Sequence, residues 1–492
     1  MWPSVPSLVD LLAEWLPAQR WFAGKDRPIR EISIGTATAL LPGDPGLHHL
    51  VLDVRQDGAA ERYQQYQLLL GLRRSLPEQM RPAEVGWLAL DAGTRGGTGA
   101  YKDAAHAFDA VHDPELARCL LTHMADETVI GPLRFRHVPG AELNTGLVPA
   151  VSTAEQSNTS LIFGDEYICK LFRKLSPGMN LDLEVNLALT KLGCAYVPGV
   201  YGWVELKAGG QDVTTLALLS EYLRTGTDGW KLAVTSVRDW FTQPQQREGV
   251  SAVDGVDAVG ERGAGAGSAG GDFAAEAERL GEATASVHRD LAKAFGRSEL
   301  PPDRVRAMAA RMRDQLERVR ATVPEIEPYA KVIGTAFASL GRWKRPLPVQ
   351  RVHGDYHLGQ VMRTDTGWVL LDFEGEPARS AEERREPSHP LRDVAGMLRS
   401  FEYAARFLHT AGPHTPPEAE QVLERRARAW VARNRAAFCR GYASAGGPDP
   451  AGHEMLLRAL EFDKAVYEVR YEAANRPAWL PVPLRSLAHL TE

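Results

Sequence analysis

The spacing of apolar positions predicts three regions along the chain. Residues 5–16 place apolar side chains at helical intervals, so a short amphipathic helix is expected there. Ile29–Leu40 and His49–Val54 alternate apolar with polar positions, the pattern of half-buried strands. A second group of strand-like runs occupies 127–223 and includes Thr159–Phe163 and Tyr167–Phe172 around Gly164-Asp165, a hairpin signature. The segment after that hairpin is expected to enter a helix at Asn180, whose side chain suits an N-cap, and to leave it by Gly193. Leu216–Leu223 then reads as an apolar strand. From about residue 224 the period becomes helical, broken by one strand-rich island at 349–374. These changes of period divide the chain into an N-terminal cap subdomain (1–95), an intermediate subdomain with a strand-rich lobe (96–223) and a mainly helical lobe (224–492).

One stretch fits neither period. Between Arg247 and Asp272 the residues are mostly Gly, Ala, Val and acids, which predicts a mobile surface loop, with Asp272 placed to cap the helix that follows. The loop contains Gly265-Ala266-Gly267-Ser268-Ala269-Gly270, a formal dinucleotide-binding pattern. It lacks the preceding buried strand that such a site requires, so it is read as low complexity. No G-x-x-x-x-G-K-[ST] sequence occurs, which excludes a Walker-type nucleotide site.

Composition narrows the choice of partner. A net charge of -6, from 57 basic against 63 acidic side chains, gives no footprint for nucleic acid. Cys119, Cys169, Cys194 and Cys439 are scattered, which argues against a disulfide framework or a zinc site and fits a reducing cytoplasm. No apolar run reaches the length of a spanning helix, and the first residues lack a basic region before their apolar ones. Neither membrane insertion nor a signal peptide is therefore expected.

The chemistry concentrates at 349–374. Asp365-Thr366-Gly367 lies between two apolar segments, so the unit reads as a hairpin. Gln360 and Asp372 lie symmetrically about Thr366, which places them across from each other at the open end. Asp355 sits in the loop just before the first strand, at the same end. Three oxygen-bearing side chains thus converge, the arrangement that phosphoryl transfer needs. Gln360 and Asp372 offer the oxygen ligands that Mg²⁺ prefers, leaving Asp355 to orient and deprotonate an acceptor hydroxyl.

The sequence HGDYHLGQ, followed by WVLLDFEGEP, resembles the catalytic loop and metal-binding segment of aminoglycoside-phosphotransferase-like kinases. More narrowly, WLPAQRWFAGK, EQSNTS and DKAVYEVRYEAANRPAWLPVPL are similar to segments of actinobacterial maltokinases, and the resemblance runs over essentially the whole chain. It implies an α+β, bilobal protein-kinase-like fold with an extra N-terminal α/β cap, Asp355 as catalytic base, and Gln360 and Asp372 as magnesium ligands. Gln360 stands where most relatives carry Asn. The resemblance further gives Lys170 to the ATP phosphates, with a carboxylate of the next helix holding it. Glu184 is the expected partner, and Asp182 is the close alternative. Ser157 and Asn158, beside Gln156, replace the usual glycine-rich loop, either contacting phosphates or forming a polar turn. Backbone groups of Ser220, Glu221 and Tyr222 mark the hinge that binds adenine. Asp393, an acid among apolar neighbours, is expected to brace the catalytic loop.

For the acceptor, a helix over 459–474 puts Glu468, Glu472, Asn475 and Trp479 on one side. Carboxylates and amides beside an aromatic platform suit a sugar, whose ring has polar edges and a C–H face. His357 is a further candidate contact, as is His353. The resemblance implies maltose as the acceptor, giving maltose 1-phosphate, and a possible complex with trehalose synthase. Glucosamine or an aminoglycoside is the alternative acceptor. A non-catalytic pseudokinase would be expected to have lost Asp355, Lys170 or Asp372, and all three are present.

Overall fold

Residues 5–57, 63–89, 104–152, 157–207, 213–242, 272–377, 379–410 and 417–492 are described in the computed structural model. Gln156, the expected boundary near 96 and the 247–271 part of the glycine-rich segment lie outside the described residues. The chain forms two compact units, one of Met1–Leu187 with Pro198–Arg224, the other of Ala188–Val197 with Thr225–Glu492.

The first unit begins with α1 (Val5–Trp15), which buries Leu8 and Leu12 against the sheet that follows. The strands β1 (Ile29–Leu41), β2 (Gly46–Gln56), β3 (Gln64–Arg73), β4 (Glu84–Ala89) and β5 (Ala104–Asp109) are antiparallel in the order β1-β2-β3-β5-β4. Next comes α2 (Pro114–Ala125), started by the Asp113 side chain, which accepts from the amides of Glu115 and Leu116. The second sheet uses β6 (Val129–Ile130), β7 (Leu133–His137), β8 (Pro149–Val151), β9 (Thr159–Phe163) and β10 (Tyr167–Leu171). Beyond β11 (Lys174–Leu175) and α3 (Leu181–Lys191) it is completed by β12 (Val200–Leu206) and β13 (Thr214–Glu221), in the order β6-β7-β12-β13-β10-β9-β8. The helix α3 starts and stops where its sequence indicates. The Asn180 side chain accepts from Asp182 N at 2.7 Å, and Gly193 adopts a φ of +67° just beyond the last turn.

Polar side chains join the two sheets. Strand β11 pairs with β3, and Gln67 of β3 donates its amide hydrogens to the carbonyls of Phe172 (2.9 Å) and Leu216 (2.5 Å). That leaves the Gln67 oxygen as acceptor, so His49 must carry its proton on Nε2, 3.1 Å away. Burial lowers the His49 pKa to about 4, keeping the ring neutral. Nearby, buried Arg173 reaches Asp109 Oδ2 at 2.5 Å and Thr159 Oγ1 at 2.8 Å, with Trp21 against its guanidinium at 4.8 Å. A buried charge is tolerated when it is paired in this way.

The second unit opens with β14 (Thr227–Asp228), α4 (Gly229–Thr242), α5 (Ala274–Phe295), β15 (Arg297–Leu300), α6 (Pro302–Thr322) and α7 (Glu327–Leu340). The expected strand island follows as β16 (Leu347–Gln350), β17 (Val361–Thr364) and β18 (Gly367–Leu370). Five helices complete it: α8 (Ala381–Arg385), α9 (Leu391–Thr410), α10 (Pro417–Ser444), α11 (Glu454–Asn475) and α12 (Pro481–Thr491). Its core gathers Phe273 with Trp368, Phe401 and Trp430, at ring separations of 6.1–6.2 Å. Asp272 caps α5 from two residues upstream, accepting from Ala274 N at 3.0 Å, and also binds Arg433. Among the described residues, no helix is long and apolar enough to cross a membrane.

Candidate active site

The loop 351–360 between β16 and β17 carries Asp355, and it is held by one buried acid. Asp393 Oδ2 accepts from His353 N (2.7 Å) and from His288 Nε2 (2.9 Å), while Oδ1 accepts from Gly354 N (2.9 Å). Burial pushes this carboxyl's pKa up. The His288 hydrogen bond and charge, the His353 ring and the Gly354 amide outweigh it, so the pKa lies below the usual range. The bracing expected of Asp393 is therefore present. The side chain of His353 is structural as well: its Nε2 donates to Leu371 O at 2.8 Å, tying the loop to the end of β18. Close approach is enforced at Gly396 of α9, where a Cβ would lie 2.5 Å from Tyr356 O.

At the other end of this tie lies the Gln360–Asp372 pair. The hairpin register pairs Thr364 with Gly367 and Val361 with Leu370, and Leu371 N donates to Gln360 O at 2.9 Å. The turn is thus centred between Asp365 and Thr366, half a residue from the symmetric placement the sequence suggests. Gln360 faces Leu371, and Asp372 comes one position later. In a regular strand that slip would send Asp372 to the opposite face. Instead Asp372 adopts a φ of +62°, a left-handed conformation uncommon outside glycine, and its Oδ2 accepts from Gln360 Nε2 at 3.0 Å. The strained backbone restores the convergence that register alone would lose.

Asp355 has a cation at its side. Lys464 of α11 donates to Asp355 Oδ1 at 3.0 Å. Burial raises the pKa of Asp355, but the charge of Lys464, then that of His357, the Lys464 hydrogen bond and His353 lower it further, so the carboxyl stays ionised. Lys464 is correspondingly raised: burial opposes its charge, while Asp355, Glu376 and Glu468 favour it. Glu376, in the DFEGEP segment, lies 3.2 Å from Arg379 and 3.6 Å from Arg392, whose guanidinium also reaches Gly354 O at 3.5 Å. The Tyr467 hydroxyl hydrogen-bonds to the same Glu376. His357 spends its Nδ1 on its own turn, accepting from Gly359 N at 3.0 Å, so its proton sits on Nε2. Burial lowers its pKa, and the ring is neutral at pH 7.

The first unit holds the residues expected to meet the nucleotide. Lys170 of β10 reaches Asp182 Oδ2 at 3.4 Å, and Asn186 holds the other Asp182 oxygen at 2.8 Å. The alternative acid of the α3 first turn is thus in place beside the lysine; Glu184 sits in the same turn, half-buried. Ser157 is exposed and Asn158 half-buried, immediately before β9. The hinge expectation needs a correction. Glu221 N already donates to Gly199 O at 2.8 Å and Tyr222 N to Glu166 O at 2.9 Å, while Ser220 is paired within the sheet between Ile168 and Val200. These pairings engage the amide hydrogens of Glu221 and Tyr222, so an adenine contact at this segment would fall to other backbone groups.

Comparison with known proteins decides the family. Residues 15–113 match the maltokinase N-terminal cap domain, and residues 258–419 match the phosphotransferase enzyme family. A glucosamine kinase of Mycolicibacterium smegmatis is 30% identical over 343 residues, 69% of this chain and 79% of that one. The glucosamine kinase of Streptacidiphilus jiangxiensis is 29% identical over 365 residues, 71% of this chain and 76% of its own. The chain belongs to the capped branch of the aminoglycoside-phosphotransferase-like kinases. The fold agrees over the full length. A solved glucosamine kinase superposes with a TM-score of 0.66 at 22% identity, covering 98% of this chain and 99% of the other. A second, bound to glucosamine, ADP and inorganic phosphate, gives 0.64 at 23%, covering 99% and 100%.

The acceptor helix of this kinase departs from the sequence expectation. Glu468 and Glu472 do not face outward. Arg399 donates to Glu468 Oε2 through Nη2 (2.6 Å) and Nε (3.0 Å), and both groups are buried. Arg476 grips Glu472 at 2.6 and 2.9 Å, with the Tyr403 hydroxyl at 3.3 Å. Two carboxylates can enter a helical core only with such partners, so they serve packing rather than sugar binding. Asn475 is exposed and donates to Tyr471 O at 2.9 Å. Trp479 is half-buried, 5.1 Å from Phe407, with the Arg476 guanidinium at 4.8 Å. The open stripe of α11 is instead Lys464, Tyr467, Tyr471 and Asn475, in which the two tyrosine rings stack at 6.1 Å. Sequence reasoning assigned no role to Lys464, Glu376 or Arg392. Two cations and one acid, close in sequence to residues already placed in the site, were the available signal.

Proposed function

We propose that this phosphotransferase is an ATP- and Mg²⁺-dependent sugar kinase whose acceptor is maltose, phosphorylated at the anomeric hydroxyl. The observation that carries the chemistry is the braced loop. Asp393 fixes His353 and Gly354, Asp355 follows them, and Oδ1 of Asp355 is taken by Lys464. Oδ2 has no other hydrogen-bond partner among the described residues and can accept the hydroxyl proton. As the acceptor oxygen bonds to the γ-phosphorus, the bond to ADP breaks and the proton passes to Asp355. Gln360 and Asp372 are the residues that would hold Mg²⁺. Their donors are one amide oxygen and one carboxylate, a hard set suited to that ion, and bound there it would neutralise phosphate charge. Lys170, Ser157 and Asn158 are assigned to the ATP phosphates, and the backbone of the Ser220–Tyr222 segment to adenine.

Maltose is supported by the aromatic stripe. From Lys464 to Tyr471 the helix rises roughly 10 Å, a length that accommodates two sugar rings rather than one. Trp479 and Asn475 stand beyond it, with Phe407 against the indole. The second reading is glucosamine, and the two curated relatives that carry that name favour it. An ATP-consumption screen over maltose, glucose, glucosamine, trehalose and kanamycin separates them. Maltose should give the highest kcat/KM. A higher value for glucosamine removes maltose and leaves the kinase chemistry in place, whereas no consumption with any sugar removes both.

A further inference from the structure

The stripe of α11 begins with Lys464, whose ammonium touches Asp355, and its placement bears on which acceptors the site accepts. Lys464 is half-buried, with its ammonium 3.0 Å from Asp355 Oδ1 and 5.0 Å from the centre of the Tyr467 ring. An ammonium has three donors, and only the one to Asp355 is engaged among the described residues. The groups facing this pair are named by the loop and helix that carry them: His353 and His357 beside Asp355, and Glu376 and Glu468 around Lys464. Glu376 is held by Arg379 and Arg392, and Glu468 by Arg399. Both acids are therefore already paired, and neither is left to receive a second ammonium. A further acid, Asp463, is pushed by burial toward its neutral form and sits in the field of Arg392 and Arg379, and Asp372 acts on the neighbouring His357.

We infer that Lys464 is a positioning and specificity residue: it fixes Asp355 with Oδ2 directed to the acceptor, supplies two N–H donors to neutral hydroxyls, and disfavours acceptors bearing an ammonium beside the reacting group. Resting on the sugar-kinase reading, this deepens it by stating which sugars the site selects. In a hexosamine the ammonium cannot lie farther than one ring's width from whichever hydroxyl reacts, so it meets Lys464 at short range. Like charges at such a distance are costly. A neutral disaccharide brings only hydroxyl oxygens, which are acceptors for the two remaining donors.

The test replaces Lys464 by Met, which keeps length and removes charge. With the wild-type acceptor, kcat should fall about tenfold or more, because one oxygen of the base is no longer held. The acid limb of the kcat/KM profile should move upward by about one pH unit or more, because Asp355 loses the cation that favours its charged form. The kcat/KM ratio of glucosamine to maltose should rise about tenfold or more. Lys464→Arg should keep the acid limb near its wild-type position. An unmoved acid limb, or an unchanged ratio, in a folded Met variant overturns the inference. If that variant does not fold, Lys464→Arg decides: a retained limb and ratio support the role, and loss of both overturns it. Failure of the maltose reading is seen separately, in the wild type, since the limb can be measured with any sugar the enzyme consumes.

Discussion

Asp393→Asn is the sharpest test of how the catalytic loop is held. The carboxylate accepts three hydrogens, two at Oδ2 from His353 N and His288 Nε2 and one at Oδ1 from Gly354 N, at 2.7–2.9 Å, and it is 1% exposed. Asparagine keeps one acceptor oxygen. Placed at the Oδ2 position it saves two bonds, but its amide nitrogen then confronts Gly354 N–H, donor against donor. One buried N–H is orphaned and the two surviving bonds lose their charged acceptor. At about 1–3 kcal/mol for the orphaned group and about 1 kcal/mol for the weakened bonds, the variant should be about 2–4 kcal/mol less stable. The loop should also lose registration at Asp355, and a misplacement near 1 Å is enough for about a hundredfold in kcat. The ATP KM should change little. Because the folded-state pKa of Asp393 is depressed, its stabilisation is fully present above the unfolded carboxyl range near pH 4 and fades as pH falls through the lower folded value. The stability gap between wild type and variant should therefore narrow below about pH 4. Thermal unfolding across pH with steady-state kinetics reads all of this. A variant that melts within a degree of wild type at pH 7 and retains kcat within twofold would refute the bracing argument.

Asp355→Asn should lower kcat by about 10²–10⁴ while isothermal titration with ADP shows unchanged affinity, since the base acts on the acceptor proton alone. Trp479→Ala should raise the maltose KM several-fold with a smaller change in kcat, the pattern of lost uniform binding; an unchanged KM would take the indole out of the acceptor site. Glu402, fully buried against Arg406 and 3.1 Å from His489, has a carboxyl pKa near 2, with burial opposing and His489, Arg406 and Arg399 depressing it. Its stabilisation, on the order of 3 kcal/mol for a depression of about two units, is complete above pH 4.5 and lost toward pH 2. Glu402→Gln should accordingly flatten acid unfolding measured by circular dichroism between those values.

The readable parts of this chain were those written locally. Asn180 and Gly193 mark the ends of α3 because a cap and a left-handed stop are properties of single residues. The hairpin after Asp355 was legible from its turn, and Asp393 from the cost of an acid among apolar neighbours. What sequence could not convey was the φ of Asp372, since period-two reasoning assumes regular strand and the decisive residue leaves it. Nor could a helical wheel tell which side of α11 faces solvent. Residues 467 and 468 are neighbours, and the choice between them was made by Arg399, which draws Glu468 inward from another helix.

Arg399 and Lys464 show why a carboxylate's role depends on the cation that answers it. Both sit beside acids that sequence reasoning placed in the site, Glu468 and Asp355. Arg399 spends two nitrogens on one oxygen of Glu468 and closes the pair inside the helical core, where burial still pushes the acid's pKa up. Lys464 is a point charge with one donor on one oxygen, and it leaves the other oxygen of Asp355 unengaged while keeping the group ionised. Each cation engages one carboxylate oxygen, so what separates the pairs is place: Glu468 is closed inside the helical core, whereas Asp355 stands in the loop with its second oxygen available. Exchanging the two modes by Lys464→Arg therefore asks more than whether charge matters. If the guanidinium engages both oxygens, kcat should fall although the acid limb stays in place. A variant with full kcat would show that the guanidinium engages one oxygen only and orients Oδ2 as the ammonium does.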